Sequence, residues 1–272
     1  MPRTAVSGRI PAAGGVLDFS TGLRLYSLGD VANVTLDGSN RVQQWNDLSG
    51  NGAHWTQSDP SFRPNRTSAG FNGKFGVVLS PTFNSFMTAS PTIAAGNTEH
   101  TIIVACLATS NSNSLNGIVS IGSDTGSLNT SSIAETAGNV FHFGGAGVST
   151  PTYDSVVNSK IYAVAKRVKN GGAGGVSIDR AFINNAYKGE IQQSAAYNIS
   201  PANTAMLGRI STATTSGFWS VGLVAIWARA LDDEEIRSIM GWIKNFYSLS
   251  YTTNDRTAVS GRVAVSGRIT VA

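Results

Sequence analysis

Charge is scarce in this chain: only 13% of its 272 residues are Asp, Glu, Lys or Arg, well below the usual quarter. Cysteine is scarcer. Cys106 stands alone, so no intrachain disulfide can form and the fold does not depend on a disulfide framework. His54, His100 and His142 are dispersed, without the spacing of a zinc site. The five glutamates, Glu99, Glu135, Glu190, Glu234 and Glu235, form no E-x-D-x-x-E pattern. A retaining glycosidase built on strands would use that alternation to bring two carboxylates to the scissile bond. No G-x-S-x-G nucleophile elbow occurs either. Lysine and arginine are scattered, so the net charge of +4 points to no nucleic-acid groove. No apolar run reaches membrane-spanning length, and MPRTAVSGRI has no apolar signal segment. These absences lead us to expect a non-enzymatic protein without nucleic-acid or membrane partners. It would stay inside the cell or leave as part of something larger.

What is present is a β-protein composition. Hydrophobic residues make up 41%, enough for a substantial core, and 30 glycines with many Ser, Thr and Asn supply turns. Strand patterns occur at Leu23–Tyr26, Val42–Trp45, Lys74–Leu79, Asn84–Thr88, Gly117–Ile121, Val140–Phe143, Lys160–Val168, Val176–Ile183 and Met206–Ile210. Thr101–Ala108 is a continuous apolar run and predicts a buried central strand with Cys106 as a core thiol. His142, between Phe141 and Phe143, reads as a structural histidine. The glycine-rich segment 170–175 joins two strands and lacks a following Lys-Ser/Thr, so it is no phosphate loop. Residues 54–72 read as one long polar loop carrying His54, Trp55, Phe62 and Arg63.

The most informative stretch is Gly217 to Tyr247. Phe218, Trp219, Val221, Val224, Ile226 and Trp227 form a strand candidate, after which Asp232 and Glu235 spell a capping box. Leu231 and Ile236 are placed for a hydrophobic staple, and Ile236, Ile239, Met240, Ile243 and Tyr247 recur at helical spacing. Asp233 and Glu234 join Glu235 in the first turn and Lys244 lies near the end, as the helix dipole favours. A strand therefore leaves a sheet and becomes an amphipathic helix lying against it.

Within this stretch VAIWARALDDEEIRSIMGWI resembles the C-terminal signature of laminin-G-like, concanavalin A-like lectin/glucanase domains. Upstream, Trp45-Asn46-Asp47-Leu48-Ser49-Gly50-Asn51-Gly52 is similar to that family's early W-x-D-x-S-G-N-G turn. The resemblance implies an all-β fold: an antiparallel two-sheet jelly-roll sandwich with one short C-terminal helix, over residues 16–250. It implies no single function, since this sandwich hosts lectins, glycosidases, adhesion modules and virion proteins. Some relatives bind calcium, which makes Asp47 and Asn51 candidate ligands. The residues themselves favour a structural turn built on Asx-type hydrogen bonds.

Outside that span the chain repeats itself. A-V-S-G-R-[IV] occurs at 5–10, 258–263 and 264–269, giving an N-terminal arm (1–15) and a C-terminal arm (251–272). In the C-terminal pair the six-residue period preserves strand alternation: Val259, Val263, Val265 and Ile269 share one face, Arg262 and Arg268 the other. Such arms, with Val6, Arg9 and Ile10 in the N-terminal copy, suit addition to a sheet edge, of their own domain or of a neighbour; pairing of the two termini and loose tails are the alternatives. The resemblance, taken with the arms and composition, leads us to expect a bacteriophage virion protein made in the host cytoplasm and displayed on the particle surface. It would be a capsid-decoration, head-fibre or tail-associated subunit, homo-oligomeric or lattice-bound through capsid or tail protein. The alternative is a carbohydrate-binding lectin module for host or mucosal glycans, with Trp55, Phe71, Asn72 and Tyr153 as candidate contacts; a glycan hydrolase comes third.

Overall fold

A computed structural model describes residues 9–12, 15–18, 21–94, 96, 99–110, 116–122, 130–136, 139–144, 152–170, 176–193, 196–199, 204–210 and 217–251. Two antiparallel sheets face each other. In one, the strands run in the order Ala186–Gln192, Ser177–Ile183, Ile161–Asn170, His100–Ala108, Trp219–Trp227, Lys74–Val78 and Asn65–Phe71, with Leu23–Leu28 also pairing Trp219–Trp227. In the other, the order is Thr152–Ser155, Val140–Gly144, Ser131–Glu135, Asn116–Ile121, Ala205–Leu207, Met87–Ala89, Trp55–Thr56, Val42–Trp45 and Val34–Leu36. The expected all-β sandwich with one helix near the C-terminus is what forms.

Alternation sorts the side chains. Trp45, Trp55, Ile102, Val104, Cys106, Phe141, Tyr162, Trp219 and Val224 fill the space between the sheets. On the other face of the first sheet, Ile103, Ala105, Ala163, Ala165, Leu223, Ala225 and Trp227 meet Ile236, Ile239, Met240 and Ile243 of the helix Asp233–Phe246. Both faces of its central strands are thus covered, and this is why 101–108 and 219–227 read as nearly continuous apolar runs. Each such buried aliphatic side chain contributes roughly 1.5–3 kcal/mol.

The junction into the helix follows its sequence cues. Asp232 accepts from Glu235 N at 2.8 Å while Glu235 Oε2 accepts from Asp232 N at 2.9 Å, completing the capping box. Leu231 and Ile236 are both fully buried in the helix-side cluster. Arg229 holds Glu235 through both guanidinium amines, at 2.8 and 2.6 Å. One irregularity positions the far end. Ala105 pairs with Leu223 but Cys106 with Val221, so Gly222 is the extra residue of a β-bulge. Its carbonyl accepts the Tyr247 hydroxyl at 2.6 Å, and a Cβ there would sit 2.9 Å from that oxygen. The glycine is required by close approach.

Several segments differ from expectation. The polar loop foreseen at 54–72 contains the strands Trp55–Thr56 and Asn65–Phe71 and a short 3-10 turn, Pro60–Phe62. Its polarity comes from the edge position of Asn65–Phe71 and from the outer face of Trp55–Thr56, which pairs on both sides. Ser131–Glu135, Thr152–Ser155 and Ala186–Gln192 are further strands, short or weakly alternating, that the patterning did not signal. Of the arms, Val6, Val259, Arg262, Val263, Val265, Arg268 and Ile269 lie outside the described residues. Arg9 and Ile10 pair with Asp18 and Leu17 in a hairpin of Arg9–Ala12 with Gly15–Asp18.

Candidate functional site

The W-N-D-L-S-G-N-G turn is built around one carboxylate. Asp47 Oδ1 accepts from Tyr26 N and Ser49 N, both at 2.9 Å, and Oδ2 accepts from Ser49 Oγ at 2.8 Å and Ala53 N at 3.0 Å. Asn51 Nδ2 donates to Leu23 O at 2.9 Å and Ser49 Oγ at 2.9 Å. Both candidate calcium ligands are therefore engaged in tying the turn to the strand Leu23–Leu28. Asp47 N donates to His54 Nδ1 at 3.0 Å, which leaves the imidazole proton on Nε2. Among the described residues no three His, Cys, Asp or Glu side chains converge as metal ligands.

The four residues foreseen as glycan contacts do not come together. Trp55 is fully buried opposite Trp45 on the inner face of its sheet, and Phe71 is fully buried against Tyr247 at 5.2 Å beneath the helix. Neither ring is available to a ligand: both belong to strands whose alternation turns them inward. Asn72 has a left-handed backbone (φ 52°) and donates to Tyr247 O at 2.7 Å, strapping a hairpin to the helix end. Tyr153 is half-buried, edge-on to Phe143 at 5.6 Å and against Gly189, which helps close one side of the sandwich.

A different group of residues makes a site. On the outer face of the second sheet, Gln43, Gln44, Thr56, Gln57, Ser58, Phe86 and Thr88 line an open cleft of about 420 Å³. Its floor is a row across three strands, with Gln44 opposite Thr56 and Thr56 opposite Thr88. The row exists because Val42, Trp45, Trp55 and Met87 face inward. Thr35 pairs with Gln44 but Leu36 with Val42, so Gln43 is a bulge residue and two glutamines share the outer face. One wall is fixed: Gln57 Nε2 donates to Phe86 O at 3.0 Å, and Arg63 donates to Gln57 O and Ser58 O, each at 2.9 Å, while pairing with Asp37 at 3.0 Å. The other wall is Phe86, tilted against Phe62 at 5.7 Å, with the buried Arg209 guanidinium 3.8 Å from its ring centroid. Burial lowers the Arg209 pKa from its ordinary value. Every lining side chain is uncharged. Amides and hydroxyls that both donate and accept, beside an aromatic ring, suit a neutral polyhydroxylated ligand.

This site was missed, although one signal was available. Val42 and Trp45, both apolar, are three apart, so placing both inside requires a bulge and turns two neighbouring glutamines outward. Thr56 and Thr88 carry no such mark, because only the sheet order sets them beside Gln44.

Four of the five glutamates have places within the fold. Glu190 pairs with Arg180, Glu235 with Arg229, and Glu99 accepts from Asn170 N at 3.2 Å. Glu135 is fully buried between the sheets, where desolvation raises its pKa to about 7 although Trp219 Nε1 donates to it at 3.1 Å.

No protein-family model and no curated sequence matches the chain. Solved structures do. The binding domain of Paraclostridial mosquitocidal protein 1 superposes with a TM-score of 0.58 at 14% identity, over 82% of this chain and 53% of that one. A botulinum neurotoxin type C structure concerned with its interaction with two ganglioside molecules gives 0.54 at 15% identity, over 85% and 52%. A Trypanosoma rangeli sialidase mutant with trans-sialidase activity gives 0.51 at 11%, over 85% and 34%. The chain thus spans about half the length of the first two chains and a third of the sialidase, and the likeness is one of fold.

Proposed function

We propose that this protein is a lectin-like, carbohydrate-binding module without catalytic activity, and that its ligand occupies the cleft around Gln44, Thr56 and Thr88. The observation that carries this reading is the chemistry of the lining: uncharged amides and hydroxyls ranked on a rigid sheet beside Phe86. A sugar presents the same pairing, hydroxyls around its rim and an apolar C–H face for the ring. The fold likeness to a toxin that interacts with gangliosides and to a sialidase supports the glycan class. The test is a glycan array followed by titration of the best ligand against Gln44→Ala and Thr88→Val. Loss of one hydrogen bond of about 1.4 kcal/mol weakens binding roughly tenfold. An array without a ligand, or a ligand whose affinity neither substitution changes, overturns the assignment.

The repeated arms support a second, compatible reading: a structural virion subunit, in which A-V-S-G-R-[IV] segments lace the sandwich onto a capsid or tail lattice. Many weak edge contacts would supply avidity, and the cleft would face outward toward host or mucosal glycans.

A further inference from the structure

Among the described residues, a connected polar cluster interrupts the core between the sheets. Lys166 and Tyr197 are fully buried, Asp179 is 3% exposed and Gln193 4%. Lys166 and Asp179 come from neighbouring strands, the register setting Val168 opposite Asp179 and so placing Lys166 one inward position along. Lys166 Nζ lies 3.4 Å from Asp179 Oδ2 and donates to Tyr197 Oη at 2.9 Å and Gly144 O at 3.3 Å. Tyr197 Oη in turn donates to Asp179 Oδ2 at 2.7 Å, and Gln193 Nε2 donates to the same oxygen at 2.9 Å. The other oxygen, Oδ1, is buried with no hydrogen-bond partner among the described residues. His100, whose Nε2 lies 2.7 Å from Ser131 Oγ, closes the cluster with its ring edge-on to Tyr197 at 6.1 Å.

As an ion pair this arrangement is costly. Two charges have lost their water, one carboxylate oxygen has nothing in exchange, and an apolar pair of the same volume would serve the core at least as well. As a pair of reactants it is well disposed. Burial lowers the Lys166 pKa, favouring the neutral, nucleophilic amine despite the nearby carboxylate. The donors are concentrated on Oδ2, where negative charge would develop if the amine added to Cγ, and Oδ1 is uncommitted.

We propose that Lys166 and Asp179 condense into an intramolecular isopeptide bond that staples the strands Ile161–Asn170 and Ser177–Ile183 together. Nζ attacks Cγ, the N–C bond forms, and Tyr197 and Gln193 hold the developing oxyanion on Oδ2. The Cγ–Oδ1 bond breaks, and Oδ1 departs as water with two of the three ammonium protons; the third stays on the amide nitrogen. The ammonium and carboxylate charges cancel, so no oxidant, reductant or cofactor is needed. Fixed neighbours make the step effectively unimolecular.

Intact-mass spectrometry of the purified full-length chain tests this directly, with peptide mapping to establish its termini. The expected mass falls short of the calculated one by one water, and tandem spectra show a branched peptide joining the segments that carry Lys166 and Asp179. Lys166→Met and Asp179→Leu each restore the full calculated mass for their sequences. The wild-type measurement requires no variant to fold. Wild-type protein at its full calculated mass overturns the proposal. So does a deficit that persists in Lys166→Met, which would place the dehydration elsewhere, as at Asp37-Gly38.

Discussion

Glu135 offers a quantitative check on how the sandwich interior treats charge. Its side chain is fully buried near Trp219, Cys106 and Phe141, with Oε2 accepting from the Trp219 indole and Oε1 without a hydrogen-bond partner among the described residues. Desolvation raises its pKa from 4.5 to about 7. The folded state therefore binds this proton more tightly than the unfolded chain. Stability from this group is complete below the unfolded pKa and is lost as pH rises through the folded one. A shift from 4.5 to about 7, at 1.36 kcal/mol per pH unit, costs about 3 kcal/mol once fully expressed, most of it between about pH 5 and pH 8. Glu135→Gln removes the titration while keeping an oxygen to accept from Trp219. Urea unfolding of both proteins across that window should show the wild type losing roughly 2–3 kcal/mol relative to the variant as pH rises. Every other side chain is common to the two proteins, so the difference between the two curves isolates Glu135. Parallel curves would refute the assignment of an apolar, desolvated site.

Two further outcomes are expected. Asp47→Ala removes the acceptor of four hydrogen bonds in the W-N-D-L-S-G-N-G turn and should cost roughly 3 kcal/mol in chemical unfolding, with added calcium giving the wild type no matching gain. Deleting residues 254–272 should leave the unfolding transition of the sandwich unchanged but abolish co-sedimentation with particles lacking this protein; unchanged co-sedimentation would remove the arms from attachment.

What could be read from residues alone was whatever local chemistry decides. The helix and its start were legible because capping needs only Asp232, Glu235 and a 3.6-residue apolar period. The central strand was legible because a sheet covered on both faces writes a continuous apolar run. The turn at Asp47 was legible as structural because Ser49 N and Ala53 N, close by in sequence, donate to it; its bond from Tyr26 N was not. Strands such as Ala186–Gln192, whose outer and inner residues differ little, left no such mark. The site was decided by tertiary structure: Gln44, Thr56 and Thr88 become neighbours only through strand pairing, which joins positions far apart in sequence. The same holds between the sheets. Lys166, Asp179 and Tyr197 look like surface residues in a list, and Trp55 and Phe71 like ligand contacts. Which way each points depends on bulges and register, and a shift of one residue exchanges inside for outside.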